Sequence, residues 1–190
     1  MIYVIQKSFI SQHVWNKIRV TKALAPWSGL VWNKARIPKH AFAVWLYVLN
    51  RNPTLDRLSR WSCDVEQTCL LCGDVDESRD HLFFECSYSS EIWKNVVAML
   101  RLPTPPIQWI IIILWLVTAS LNKDISLALL QAWQACIYEV WSERNRRYHS
   151  GLTLPPSFVF HRIINVVTNR EHSLVLLNPD FSSLLCCWAT

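Results

Sequence analysis

Cys69-Leu-Leu-Cys72-Gly-Asp-Val-Asp-Glu-Ser-Arg-Asp-His81-Leu-Phe-Phe-Glu-Cys86 reads as C-x2-C-x8-H-x4-C. Two thiolates separated by two residues can be presented to one metal ion by a single tight turn, and a His and a Cys five positions apart can face the same point from a short helix. The set is four soft or borderline donors, which suits a closed tetrahedral Zn²⁺ site built from Cys69, Cys72, His81 and Cys86. Gly73 follows the second Cys, where such a turn favours a residue free to take positive φ. With all four positions filled by protein, no place is left for a reactive water, so the expected role of the metal is structural. The plainer alternative, three buried cysteines and a core histidine, would rarely produce this spacing by chance. A disulfide framework fits less well, because the chain has 7 Cys and no charged leader precedes the apolar start Met1-Ile-Tyr-Val-Ile. These signs suggest an intracellular protein.

Working outward, the 190 residues and 52% hydrophobic content suffice for a sizeable core, and only 3 Gly against 11 Trp disfavour a turn-rich β architecture. The expected fold class is all-α: a small helical domain organised around one structural CCHC zinc site. The expected organisation is an N-terminal edge at 1–26, the zinc-binding domain at 27–100, a helical extension at 101–152 and a C-terminal helix and tail at 153–190.

Helical periodicity supplies the elements. Val14, Trp15 and Ile18 suggest one face of a short helix near 12–24. Pro38 suits a helix's first turn, and Phe42, Trp45, Leu46 and Leu49 follow as an apolar stripe. Thr54 is the expected cap of a short helix carrying Leu55 and Leu58. Ser78 is the expected cap of the His81–Cys86 turn, and Ser89 or Ser90 that of a helix from Glu91 to Leu100. Ile107–Leu121 is too short to span a bilayer and reads as a buried core helix, so no membrane association is expected. A long helix capped by Asp124 or Ser126 should reach about Tyr148, with Arg144–Arg147 placed where the helix dipole favours cations and Gly151 as terminator. Phe158, Ile163 and Val167 suggest a last helix. Cys136 reads as core, and Cys63 as a free buried thiol.

Charge is unevenly distributed. Residues 1–63 carry ten Lys and Arg against Asp56 alone, whereas 64–100 carry eight acids against Arg79 and Lys94. The zinc stretch is therefore the acidic part of a basic chain. Retroviral-type zinc knuckles use the same ligand types at shorter spacing, but are basic where they grip phosphates. Nucleic-acid binding by the zinc stretch alone is disfavoured. If RNA or DNA is bound, Lys17, Arg19, Lys22, Lys34, Arg36 and Lys39 are the candidate phosphate contacts, with Trp27 or Trp32 available to stack on bases. Ordinary solvated helix faces are the competing reading of those cations.

Val31-Trp-Asn-Lys-Ala-Arg-Ile-Pro-Lys-His-Ala-Phe42-Ala-Val-Trp45, Asp56-Arg-Leu58, Trp61 and the Cys69–Cys86 stretch with Ile92-Trp93 resemble the reverse transcriptase zinc-binding domain. That module occurs at the C-terminal end of plant non-LTR retroelement polyproteins and in stand-alone copies. Trp141-Ser-Glu-Arg-Asn-Arg-Arg147 is similar to a Trp-x-Glu-Arg-Asn-x-Arg segment that often follows it. The resemblance spans about 12–150 and implies zinc at Cys69, Cys72, His81 and Cys86. It would suit nuclear residence. The family's upstream Gly-x-Phe-Ser-x-Lys segment is degraded in Met1–Ser11, as if the chain began near the domain edge. No Tyr-x-Asp-Asp pair is present, so polymerase chemistry, which needs carboxylates holding two metal ions, is not expected, nor is any other catalysis. The expectation is a noncatalytic zinc module acting in structure or interaction, with an unidentified protein partner. Nucleic-acid binding through the basic third is the alternative, and a degenerate retroelement fragment without selected function is a third reading.

Overall fold

The computed structural model describes residues 11–18, 23–61 and 64–188, and among these there is no strand, only a single antiparallel bridge between Thr68 and Asp76. The helices are α1 (Ser11–Ile18), α2 (Ser28–Val31), α3 (Pro38–Val48), α4 (Leu55–Arg60), α5 (Ser87–Met99), α6 (Trp109–Thr118), α7 (Lys123–Ser150), α8 (Pro156–Leu177) and α9 (Ser182–Leu185). A π-helical turn occupies His81–Glu85, between α4 and α5.

α7 is the axis of the molecule. It packs against α3, α5 and α8, and from Gln131 to Ile137 every side chain is buried. Polar residues survive there because they reach carbonyls elsewhere. Gln134 Nε2 donates to Leu30 O and Val31 O at 2.8 and 2.9 Å, and Gln131 Nε2 to Ala35 O at 2.7 Å. These bonds hold the α2–α3 connection, whose backbone has few partners of its own. The helix begins not at Asp124 or Ser126 but at Asn122, whose side-chain oxygen accepts from Ile125 N at 2.8 Å. Gly151 ends it at φ +67°, the left-handed conformation a terminating glycine allows.

An aromatic cluster fills the space around α7. Trp109 lies against Phe83, Phe84 and Trp133, and Trp93 against Phe84 and Trp115, with centroids 5.4–6.3 Å apart. Trp93 is fully buried, and its indole N–H donates to Pro106 O at 3.0 Å. Cys136 is 1% exposed, a core thiol.

Several expected faces are turned. In α3 the buried residues are His40, Ala41, Val44 and Tyr47, not Phe42, Trp45, Leu46 and Leu49. The buried face pairs the small Ala41 and Val44 with His40, stacked on Tyr138, and Tyr47, packed against Phe83 and Trp141. α6 is no buried core helix. Trp109 and Ile112 are buried, while Ile110, Ile111, Leu114 and Val117 are 42–61% exposed. Among the described residues no helix is long and apolar enough to cross a membrane. α5 starts at Ser87, earlier than expected, and Ser89 and Ser90 donate back to the carbonyls of Cys86 and Ser87 instead of capping. Val14 and Ile18 of α1 are exposed, as is Phe158 of α8, while Val159, Ile163 and Val167 face the core. The side chain of Trp15, the residue Cys63 and the Met1–Ile10 start lie outside the described residues. Past α8, Trp188 is buried and donates to Glu171 Oε1 at 2.7 Å, which docks the tail.

Candidate metal centre

The metal-ligand candidates come from two local structures. The first is a narrow turn. Cys69 N donates to Val75 O and Gly73 N to Cys69 O, both at 2.8 Å, and Glu77 N donates to Gln67 O at 2.7 Å. Gly73 has φ +76°, which a side-chain-bearing residue would strain to adopt. The second is the π turn. Ser78 Oγ accepts from His81 N at 3.2 Å, and Cys86 N donates to His81 O at 2.8 Å, closing the wide turn. One turn of helix was expected here, and the turn is π-helical. The extra residue in the π turn shifts Cys86 round the axis relative to His81 and buries Leu82, Phe83 and Phe84 together.

The four candidate ligand atoms lie within 4.8 Å of one another. Cys69 Sγ and Cys86 Sγ are 4.0 Å apart, and Cys72 Sγ and His81 Nε2 are 3.3 Å apart. Donors about 2.0–2.3 Å from one tetrahedral ion stand roughly 3.3–3.8 Å from each other. The two pair distances lie at or near that range, so the cluster is of a size and donor type suited to Zn²⁺. Left to themselves, the paired thiols shift in opposite directions: the hydrogen bond with Cys86 pushes the Cys69 thiol up, and the same bond draws Cys86 down. Cys69, Cys86 and His81 are buried, and Cys72 is half-buried.

What surrounds the cluster was not read from the sequence. Arg147, on the last turn of α7, donates from Nη1 to Leu70 O and Leu71 O at 3.0 and 2.9 Å, gripping the two residues between the paired cysteines. Its guanidinium lies 4.6 Å from the Tyr88 ring centroid, and its Nε donates to Glu143 Oε1 at 2.8 Å. Glu143 also accepts from Leu154 N at 2.9 Å and pairs with Arg146. One turn earlier Arg144 binds the fully buried Glu77 through Nε and Nη2 at 2.9–3.1 Å. Glu77 Oε1 also accepts from Leu55 N at 2.9 Å, so Glu77 caps α4 from a distance. Thr54 sits at the cap position but makes no capping bond.

Arg147 stands in the last turn of α7, as expected, and Arg144 and Arg147 also serve the metal turn and its flank. The α4 segment is tied in through Glu77. The signal was present in Trp141-Ser-Glu-Arg-Asn-Arg-Arg147, where Glu143 and Arg147 fall at i and i+4.

Among the described candidate phosphate contacts, Lys34 and Lys39 stand at different parts of α7, beside Asp124 and Tyr138. Lys17 is exposed on α1, and Arg19 and Lys22 lie outside the described residues. Lys34 lines a hollow with Asp124 and Asp180. Arg36 turns back to its own loop, donating to Asn33 O at 2.8 Å. Lys39 stands 4.9 Å above the Tyr138 ring. Trp32 is 45% exposed, whereas Trp27 packs partly against the core.

No curated protein and no solved structure matches the chain. A family model described as zinc-binding in reverse transcriptase matches residues 9–93, and the four clustered side chains fall within that span. Over residues 9–93 the chain is thus similar to the reverse transcriptase zinc-binding domain family, and that stretch carries all four candidate ligands.

Proposed function

We propose that the chain is a noncatalytic zinc-binding module in which Cys69, Cys72, His81 and Cys86 hold one Zn²⁺ whose role is structural. When bound, the metal cross-links the cysteine turn to the π turn; it is not a Lewis acid for a substrate. The observation that carries this reading is the grip of Arg147 on Leu70 O and Leu71 O. That grip fixes the ligand turn to the central helix and gives it a supporting shell of the kind that orients metal ligands. Four protein donors complete a tetrahedral set and leave no open position. The module's use is then structure or interaction, and the similarity over residues 9–93 supports its descent from a retroelement polyprotein.

The test compares variants by metal content and thermal unfolding. Cys72→Ser and His81→Ala should lose zinc and lower Tm by about 10 °C or more. Cys136→Ser should keep zinc and cost only a few degrees, as an ordinary core change. Full zinc content in His81→Ala would contradict the assignment.

A second reading, nucleic-acid binding through the basic N-terminal third, draws support from Lys39, which stands at an exposed aromatic surface on the α3–α7 flank.

A further inference from the structure

The apolar stripe of α3 that failed to enter the core has another use. Phe42 and Leu46 line a groove between α3 and α7, whose far wall carries Tyr138 and Trp141. The groove encloses about 360 Å³, near the lower end of small-ligand pockets. Phe42 is 54% exposed, a large ring left in water at the mouth. Tyr138 is stiffened from behind by His40, stacked at 4.3 Å and 22°. His40 is fully buried with both ring nitrogens unpartnered, and burial lowers its pKa to about 3, so the stack stays uncharged at neutral pH.

The floor of the groove is polar. Tyr47 Oη is buried without a well-formed hydrogen bond, beside the Asn52 side chain. Asn52 and Asn145 both line the groove. A buried hydroxyl left without a partner is costly, and burial pushes the Tyr47 phenol up, so it remains a donor. Lys39, exposed in the first turn of α3, lines the groove, and the exposed Arg51 precedes Asn52, which also lines it. Residues 1–63, which supply this wall, hold Asp56 as their single acid.

Aromatic walls, amide and hydroxyl groups on the floor and these cations match the three parts of an unpaired nucleotide: base face, base edge and phosphate. We propose that the α3–α7 groove binds unpaired bases of single-stranded nucleic acid. Phe42 stacks on the base, Tyr138 with Lys39 over its ring forms the facing wall, Tyr47, Asn52 and Asn145 meet the base edge, and Lys39 and Arg51 hold the flanking phosphates. An acidic peptide would satisfy the cations and the amides, but its backbone offers no flat base to stack on the Phe42 ring. This inference rests on the second reading above and gives it one site, which differs from Lys17, Lys34 and Arg36.

The test uses the full zinc-loaded chain with fluorescein-labelled 12-nucleotide pyrimidine RNA and DNA, read by anisotropy over a salt titration. At low salt one or both oligonucleotides should bind, weaken steadily as salt rises and resist competition by a duplex. Phe42→Ala should weaken binding about tenfold, and Lys39→Gln with Arg51→Gln should flatten the salt dependence. These three side chains are exposed, so the variants should melt like the parent chain. Lys94→Gln, on the exposed face of α5, should change nothing. Binding lost on Lys34→Gln but unaffected by Phe42→Ala would leave the nucleic-acid reading standing and overturn the groove. No oligonucleotide binding by folded protein, or binding only of an acidic peptide, would overturn both.

Discussion

Glu77 is fully buried, and its carboxylate accepts from Leu55 N and from two nitrogens of Arg144, itself 3% exposed at the side chain. A buried ion pair adds little net stability over an apolar pair, but breaking one side strands a charge, at about 3–5 kcal/mol. Arg144→Met should therefore destabilise strongly, and adding Glu77→Gln should recover part of the loss by removing the stranded charge. A urea double-mutant cycle reads the coupling, and additive losses would contradict the pairing. Glu171 behaves differently. It is buried opposite the Trp188 indole, and burial raises its pKa from 4.5 to about 8. Between those values the folded chain holds a proton that the unfolded chain has released. This contribution to stability is therefore full below pH 4.5 and is lost as pH rises towards 8. Glu171→Gln keeps the acceptor for Trp188 and should flatten that decline in denaturation curves taken from pH 5 to 8.5. A slope unchanged by the substitution would contradict it. Neither role was legible beforehand. Composition marks Arg144 and Glu77 as charged, but only the wrapping of α7 past the π turn shows that they meet.

At the scale of elements, what could be read followed from local chemistry, and what could not followed from packing. Pro38 at the start of α3, Gly73 in the cysteine turn, Ser78 before the π turn and Gly151 after α7 sit where their backbone preferences place them. Faces were harder. Ile110-Ile-Ile-Ile-Leu114 has no polar residue to set a phase, so sequence alone gives no reason for Ile112 to turn inward and its neighbours outward. The structure predicts a sharp contrast within one turn. Ile112→Ala should cost about 2–5 kcal/mol, whereas Ile110→Ser should stay within about 0.5 kcal/mol. Equal costs in chemical denaturation would contradict the orientation of α6. In α3 the face chosen is that of His40, Ala41, Val44 and Tyr47, while Phe42 and Leu46 are left to line the groove.

Over the whole molecule, the zinc-binding family segment is not self-contained. The match covers 9–93, yet the groups that hold the cysteine turn from behind, Glu143, Arg144 and Arg147, come from the end of α7. The same helix reaches back through Gln131 and Gln134 to the α2–α3 connection, so one element secures both ends of that segment. The candidate ligands were legible as a spacing. Their support was not, because it depends on a helix that begins 37 residues after Cys86, at Lys123. An ion bound by the four side chains would close this arrangement, with a binding free energy on the order of 10 kcal/mol available to folding. The most direct measurement is zinc stoichiometry of the purified chain combined with unfolding under a chelator. One Zn²⁺ per chain, with helical structure lost cooperatively as the metal is stripped and regained on its return, is the predicted result. A metal-free chain that remains fully folded and melts unchanged in chelator would contradict the account.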